Sequence, residues 1–431
     1  MADDSPGALS TYRRVLGLPG DVLVLSLAML GFSLSFQMTG RYIPEYLNVL
    51  GAGAGVIGLY GTVGNLISAV YPYPGGAFSD RVGSRVALTL FAVASTAGFL
   101  VWALAPVFDP ALAVLVVFLG LFLSQAWKSF GLGATFAVVK QATAPGELAR
   151  GFASTETFRR VGFLVGPLVA AAVLAATNDF VLGFQLVLGI AFALALVATL
   201  AQHLLYDASE DTLGESFEGV RDVLADLRAL PDTLRPLLVA DTLIRFANGM
   251  VYVFFVIVIT DFLSVGFSGF GVDIGPAAFF GVLSGVEMAI ALVSMVPVSR
   301  FAERVGLKPV VALGFAVYAV FPALLISVPA LSVADTTVQW VLVGLFAFSG
   351  LRFAGLPAHK ALIVGPAEQD AGGRVTGSYY LARNTVVIPS AALGGVLYGW
   401  NPSVAFGVAS VIGLVGVGYF LRFGEEFDAY R

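Results

Sequence analysis

Apolar runs of about 20 residues follow one another along almost the whole chain, and nothing constrains its fold more. Twelve can be marked, at 21–42, 54–77, 86–106, 111–138, 154–177, 180–204, 237–262, 277–299, 309–329, 338–358, 376–398 and 403–422. Each is long enough to cross a hydrocarbon core as a helix. Barrel strands would be about 10 residues long with alternating polarity. The continuous runs therefore predict an all-α membrane protein of 12 transmembrane helices. Composition agrees: 58% of the 431 residues are hydrophobic and only 12% are charged, against about 25% charged in a soluble domain.

The runs fall into two matching halves. Gly76-Ala-Phe-Ser-Asp80-Arg81-Val82-Gly83-Ser-Arg85 returns 223 positions later as Ser299-Arg-Phe-Ala-Glu303-Arg304-Val305-Gly306-Leu-Lys308, and Pro74 matches Pro297. Lys128-x-x-Gly131 matches Arg352-x-x-Gly355, and Arg150 matches Arg374, at an offset of 224. Two equal halves, each with one charged turn between apolar runs, are the organisation of a secondary transporter. The predicted domains are a six-helix bundle over 1–206, a cytoplasmic amphipathic linker over 207–236 and a second six-helix bundle over 237–431. In the linker, Phe217, Val220, Leu224 and Leu227 recur at helical spacing.

Basic residues orient the chain. With the N-terminus inside, sixteen Lys and Arg fall in cytoplasmic segments and Arg41 alone falls outside. This predicts a multi-pass protein of the cell membrane with both termini cytoplasmic. There is no Cys and there are two His, His203 and His359, so disulfides, thiol chemistry and an all-His metal site are excluded. Both histidines stand near helix ends and read as surface residues. The glycine-rich Gly51-Ala-Gly53-Ala-Gly55 lacks a following Lys-Ser/Thr and is no phosphate loop. No cofactor, metal or nucleic-acid partner is expected, and the energy for transport should come from an ion or solute gradient.

These residues resemble the major facilitator superfamily over nearly the whole chain. Gly76, Asp80, Arg81, Gly83 and Arg85 fit the family's signature between spans two and three, with Glu303, Arg304, Gly306 and Lys308 as its degenerate second copy. The resemblance implies two pseudo-symmetric six-helix bundles and a latch at these turns that biases inward against outward opening. Gly162, Gly166 and Pro167 resemble the span-five helix-bend motif of exporters and antiporters. The usual final Gly-Gly is here Ala170-Ala171. Lys128 lies three positions before Gly131, where the family's span-four basic residue lies four before.

Charge inside a span costs about 2.5–3.5 kcal/mol on insertion scales and so points to function. Asp241 and Arg245 stand four apart on span seven and Glu156 and Arg160 four apart on span five. Such pairs serve structure or function equally. Glu287 lies about ten residues into span eight with no basic residue on its own turn. A carboxylate at that depth can take up and release protons, so Glu287 and Asp241 are the proton-coupling candidates. Lys128, Arg352 and Arg383 lack a same-helix acid. They either give a central cavity positive potential, for an anionic or polar substrate, or snorkel to the cytoplasm. By resemblance, spans one, four, seven and ten line the cavity, which makes Gln37, Gln125, Lys128, Arg245, Asn248 and Arg352 candidate residues, and Arg383 of span eleven joins them as a further cation within a span.

The expected activity is proton-coupled efflux or antiport of a small organic solute by a monomeric, non-enzymatic secondary transporter in the lipid bilayer. A uniporter or importer of the same fold is the alternative, and a non-transporting membrane sensor the reading from a different class.

Overall fold

The computed structural model describes residues 20–71, 78, 81–131, 148–177, 179–206, 231–365 and 372–426. The linker between 207 and 230, Gly76, Asp80, Lys140 and Asn178 lie outside the described residues, as do the side chains of Arg150, Glu156, Glu303 and Arg374.

The apolar runs become helices because only a helix pairs every backbone polar group within its own segment. In chain order these are α1 (Gly20–Thr39), α2 (Ile43–Val49), α3 (Ala54–Val70), α4 (Ser84–Leu104), α5 (Pro110–Ala126), α6 (Leu148–Ala175), α7 (Phe180–Leu205), α8 (Arg235–Val251), α9 (Pro276–Val305), α10 (Leu307–Ile326), α11 (Asp335–Gly350), α12 (Leu356–Val364), α13 (Gly372–Val387), α14 (Ser390–Trp400) and α15 (Pro402–Phe423). Ten helical segments among the described residues are long and apolar enough to cross a membrane. Two expected spans are not among them. The part of the second that lies among the described residues is a helix of 17 residues, Ala54–Val70. The eleventh is broken at Ile388-Pro389 into α13 and α14, where proline supplies no N–H to the helical ladder.

Strand structure, which the sequence did not lead us to expect, occurs once among the described residues. β1 (Phe267–Gly269) pairs antiparallel with β2 (Val272–Ile274). Phe270 and Gly271 between them have φ of +52° and +75°, the all-positive backbone of a two-residue hairpin turn.

The chain forms two compact units, residues 1–40, 70–169 and 184–217 in one, and 41–69, 170–183 and 218–431 in the other. The first is held by close packing and by hydroxyls bonding across helices, as expected where lipid offers no hydrophobic drive between helices. Phe32 stacks on Trp127 at 4.3 Å. Ser35 donates to the Ala191 carbonyl (2.9 Å), and Thr96 and Thr199 bond at 3.1 Å. A Cβ at Gly162 or Gly166 would collide with Ser33 and Gln37 of α1, so these two glycines let α1 and α6 touch. The second unit has a core of Ile244, Phe315, Tyr318, Leu362, Tyr379 and Phe420, among others, drawn from α8, α10, α12, α13 and α15.

The repeated turns share one backbone and differ in how it is satisfied. Gly83 and Gly306 have φ of +88° and +93°, a region costly to residues with a Cβ. In the first unit, Arg85 donates twice to the His203 carbonyl near the end of α7 (3.0 and 2.6 Å), and Ser84 meets the Tyr206 hydroxyl at 2.7 Å. In the second, the Leu307 and Lys308 N–H groups at the start of α10 donate to the Glu426 carboxylate beyond α15 (2.8 and 2.9 Å). The first turn thus closes with a guanidinium on a carbonyl at a helix end, the second with a carboxylate on a helix N-terminus. Arg81 and Arg304 are exposed.

Candidate functional site

Apart from Glu45, the buried carboxylates described in the second unit centre two clusters of charge. Glu287 on α9 is the centre of the first and is almost fully buried. Arg41 donates to its Oε2 at 2.8 Å and Arg352 to its Oε1 at 2.6 Å. Ser349 donates to Oε1 at 2.5 Å, and Arg41 also reaches Ser284 Oγ at 3.1 Å. The Arg352 guanidinium lies over the Phe353 and Tyr318 rings, 4.8 and 5.1 Å from their centroids, a contact that favours a desolvated cation.

Glu287 has no basic partner on its own helical turn, and its partners Arg41 and Arg352 are brought from distant parts of the chain. Arg41 is itself largely buried. It sits at the Gly40–Tyr42 break within the candidate span Leu23–Val49, with a side chain 11% exposed. The signal in the sequence was the apolar stretch that resumes at Ile43 and carries the span past the arginine.

Asp241 on α8 is the centre of the second cluster and is fully buried. Arg245, one helical turn on, donates to Oδ1 at 3.3 Å. Arg383 of α13 donates to Oδ2 at 2.9 Å, and Tyr379 donates to the same oxygen at 3.2 Å. His359 Nε2 of α12 lies 3.3 Å from that oxygen. His359 is buried, against the surface position expected for it, while His203 is exposed as expected. The i,i+4 pair on α8 is therefore real but is only one part of a five-residue cluster. No same-helix spacing could have revealed His359, Tyr379 or Arg383 as its members.

Tyr318 of α10 joins the two clusters. Its hydroxyl accepts from Arg245 at 3.0 Å, and its ring lies beneath both Arg245 and Arg352, at 5.0 and 5.1 Å. Asn248 accepts from Arg352 at 3.5 Å. A cavity of about 190 Å³ opens beside the second cluster, lined by Gly61 and Asn65 of α3, Arg245, Asn248 and Tyr252 at α8, and Arg383 and Asn384 of α13, among others. A second cavity, of about 390 Å³, is lined by Asn48, Phe254, Asp261 and Tyr398 with apolar neighbours. Asn48 there reaches Glu45 and Asp261 at 3.5 and 3.4 Å.

Of the seven residues expected to line a substrate cavity, Arg245, Asn248, Arg352 and Arg383 come together in this unit. Gln37, Gln125 and Lys128 belong to the other. Lys128 is exposed in the π-helical turn Trp127–Gly131 that continues α5, and Gln125 is half-buried.

Comparison with solved structures returns transporters. The chain is similar to a peptide transporter of the POT type in complex with alafosfalin (14% identity, TM-score 0.70, covering 96% of this chain and 98% of that one). It is similar to the nucleoside transporter NupG (16% identity, TM-score 0.67, covering 93% and 98%). It also resembles a bacterial homologue of the iron transporter ferroportin in its inward-facing state (14% identity, TM-score 0.72, covering 94% and 98%). At these identities the likeness is one of fold. No curated protein matches the chain. The family model of the Major Facilitator Superfamily matches residues 23–286, more than half of the sequence. The paired halves, the multi-pass helical fold and this match place the chain in the Major Facilitator Superfamily of membrane transporters.

Proposed function

We propose that the protein is a secondary active transporter of a small organic solute, working by alternating access with proton-coupled efflux or antiport. Twelve spans in two six-helix bundles, both termini cytoplasmic, and a monomer in the cell membrane complete this reading. The charged turns at Gly83 and Gly306, with Asp80, Arg81, Arg85, Glu303, Arg304 and Lys308, are its gating elements. Gly162, Gly166 and Pro167 are its helix-bend motif, which favours the export direction. The observation that supports the proposal best is a cavity between helices of the second unit, lined by two guanidinium groups and three amides. Charge at that depth is expensive and is kept where it binds a solute or couples an ion.

Of the two carboxylates, we assign coupling to Asp241. It touches His359 and two arginines that line the cavity. Glu287 meets only arginine and serine in its cluster. Moving a proton onto or off the Asp241 cluster would change the charge that a bound solute meets, which is the link that coupling requires.

The test is solute flux in proteoliposomes under an imposed pH gradient, wild type beside Asp241→Asn. Gradient-driven accumulation is expected in the wild type. The variant should lose it while keeping exchange of solute at equal pH. Flux that ignores the gradient in both proteins would favour the uniporter of the same fold.

A further inference from the structure

The charge count around the smaller cavity is unbalanced. Arg245 and Arg383 both line it, and both lean on the single carboxylate of Asp241. His359, the remaining titratable base on that carboxylate, adds positive charge when it adds any. The neighbouring cluster repeats the imbalance, with Arg41 and Arg352 on the single carboxylate of Glu287. Its Arg352 reaches the cavity wall through Asn248. Among the described residues, four guanidinium groups thus face two carboxylates. The acids Glu45 and Asp261 do not offset them locally, since they gather around Asn48 at the other cavity. A surplus cation in a low-dielectric interior is unfavourable until an anion joins it.

The donors are placed to receive one. Asp241 and Tyr318 take up Nε and Nη1 of Arg245, and among the described residues its Nη2 meets no acceptor. The Arg245 and Arg383 side chains keep 25% and 15% of their surface, in contrast to the fully buried Asp241. Asn384 is fixed by two bonds from Arg383, at 3.2 and 3.0 Å to its Oδ1, which leaves its amide N–H groups as donors. Asn65 and Asn248 add further amides on the wall. A planar guanidinium fork with amide donors beside it is the arrangement that recognises an oxyanion. The volume of about 190 Å³ lies below the roughly 300–1,000 Å³ typical of sites for drug-sized ligands.

We infer that this cavity binds a small organic anion, its carboxylate or phosphonate oxygens held by Arg245 and Arg383 and its polar remainder by Asn65, Asn248 and Asn384. The inference rests on the transporter reading above and names the substrate class for it. The cavity's walls come from α3, α8, α13 and α14, so movement of any of these helices alters the anion's surroundings.

Asn384→Asp is the decisive variant. Its carboxylate keeps the shape of the amide and still accepts both Arg383 bonds, while the added negative charge cancels the local surplus. Full-length protein in detergent would be titrated with benzoate, succinate, methylphosphonate, choline and glucose, following intrinsic tryptophan fluorescence and thermal unfolding. At least one of the three oxyanions is expected to bind saturably, and which of them does so separates carboxylate from phosphonate recognition. Asn384→Asp should weaken that binding by about tenfold or more, because one added charge acts within a few ångströms of the site. Arg245→Gln should weaken it likewise. Absence of saturable oxyanion binding in the wild type overturns the inference, as does unchanged affinity in a folded Asn384→Asp protein. Counterflow in liposomes separates the two readings. Oxyanion binding without counterflow of the bound probe keeps this site and removes the transport reading. Counterflow of choline or glucose with no oxyanion response does the reverse.

Discussion

Glu287 and Asp241 are each held by two arginines inside the same helical unit, yet they occupy different environments. Around Glu287 the shell is closed: Arg352 is 2% exposed, and Ser284 and Ser349 are fully buried. Around Asp241 both arginines line a cavity, and a histidine and a tyrosine complete the set. The same formal charges therefore do different work. A closed ion cluster holds segments from distant parts of the chain together, Arg41 to α9 to the turn after α11. An open one presents its cations to whatever enters. The contrast separates charge that only pairs within the packed helices from charge that also lines a cavity.

Removing the closed carboxylate should cost the most. Glu287→Gln leaves Arg41 and Arg352 buried without a counter-charge, and breaking a buried pair in this way costs about 3–5 kcal/mol. A large loss of thermal stability in detergent is expected, and a folded variant of near wild-type stability would break the comparison. Asp241→Asn should cost less, about 1–3 kcal/mol, because cavity water can solvate Arg245 and Arg383. Its main effect should fall on the pH dependence of flux, and His359→Gln should shift that dependence in the same assay with little loss of stability. The smallest effect should come from Tyr318→Phe, which removes one hydrogen-bond acceptor from Arg245 and leaves the ring beneath both guanidiniums, a change of about 1 kcal/mol. Combined with each carboxylate variant in a double-mutant cycle, it would measure how strongly the closed cluster and the open one depend on each other.

The turns around Gly83 and Gly306 show how far a repeat can be read. The repeated glycine has a physical meaning that survives into the fold, since both copies take positive φ. Among the described residues the partners differ: a carbonyl and a tyrosine meet one turn, a carboxylate the other. Backbone requirements are local and leave a residue-type signature. Partners from other helices leave none at the turn itself, so Tyr206 and Glu426 could not be read from the duplicated segment.

Much of the architecture was legible in the order of apolar and charged residues. Ten segments suited to crossing a membrane, the paired charged turns and the family itself follow from patterns within single segments, because the bilayer imposes length and polarity on each span separately. Arg245, Asn248, Arg352 and Arg383 stood out in the sequence as polar groups within apolar runs. What the tertiary structure decided was the pairing. Arg41 meets Glu287 across 246 positions and Arg383 meets Asp241 across 142. His359, expected at the surface, is packed against the same aspartate. The sequence determined which segments are long and apolar enough to span, because hydropathy is a property of each segment alone. Only the packing of α8, α9, α12 and α13 decided which charges cancel and which face a cavity, because ion pairing depends on distances between helices far apart in the chain.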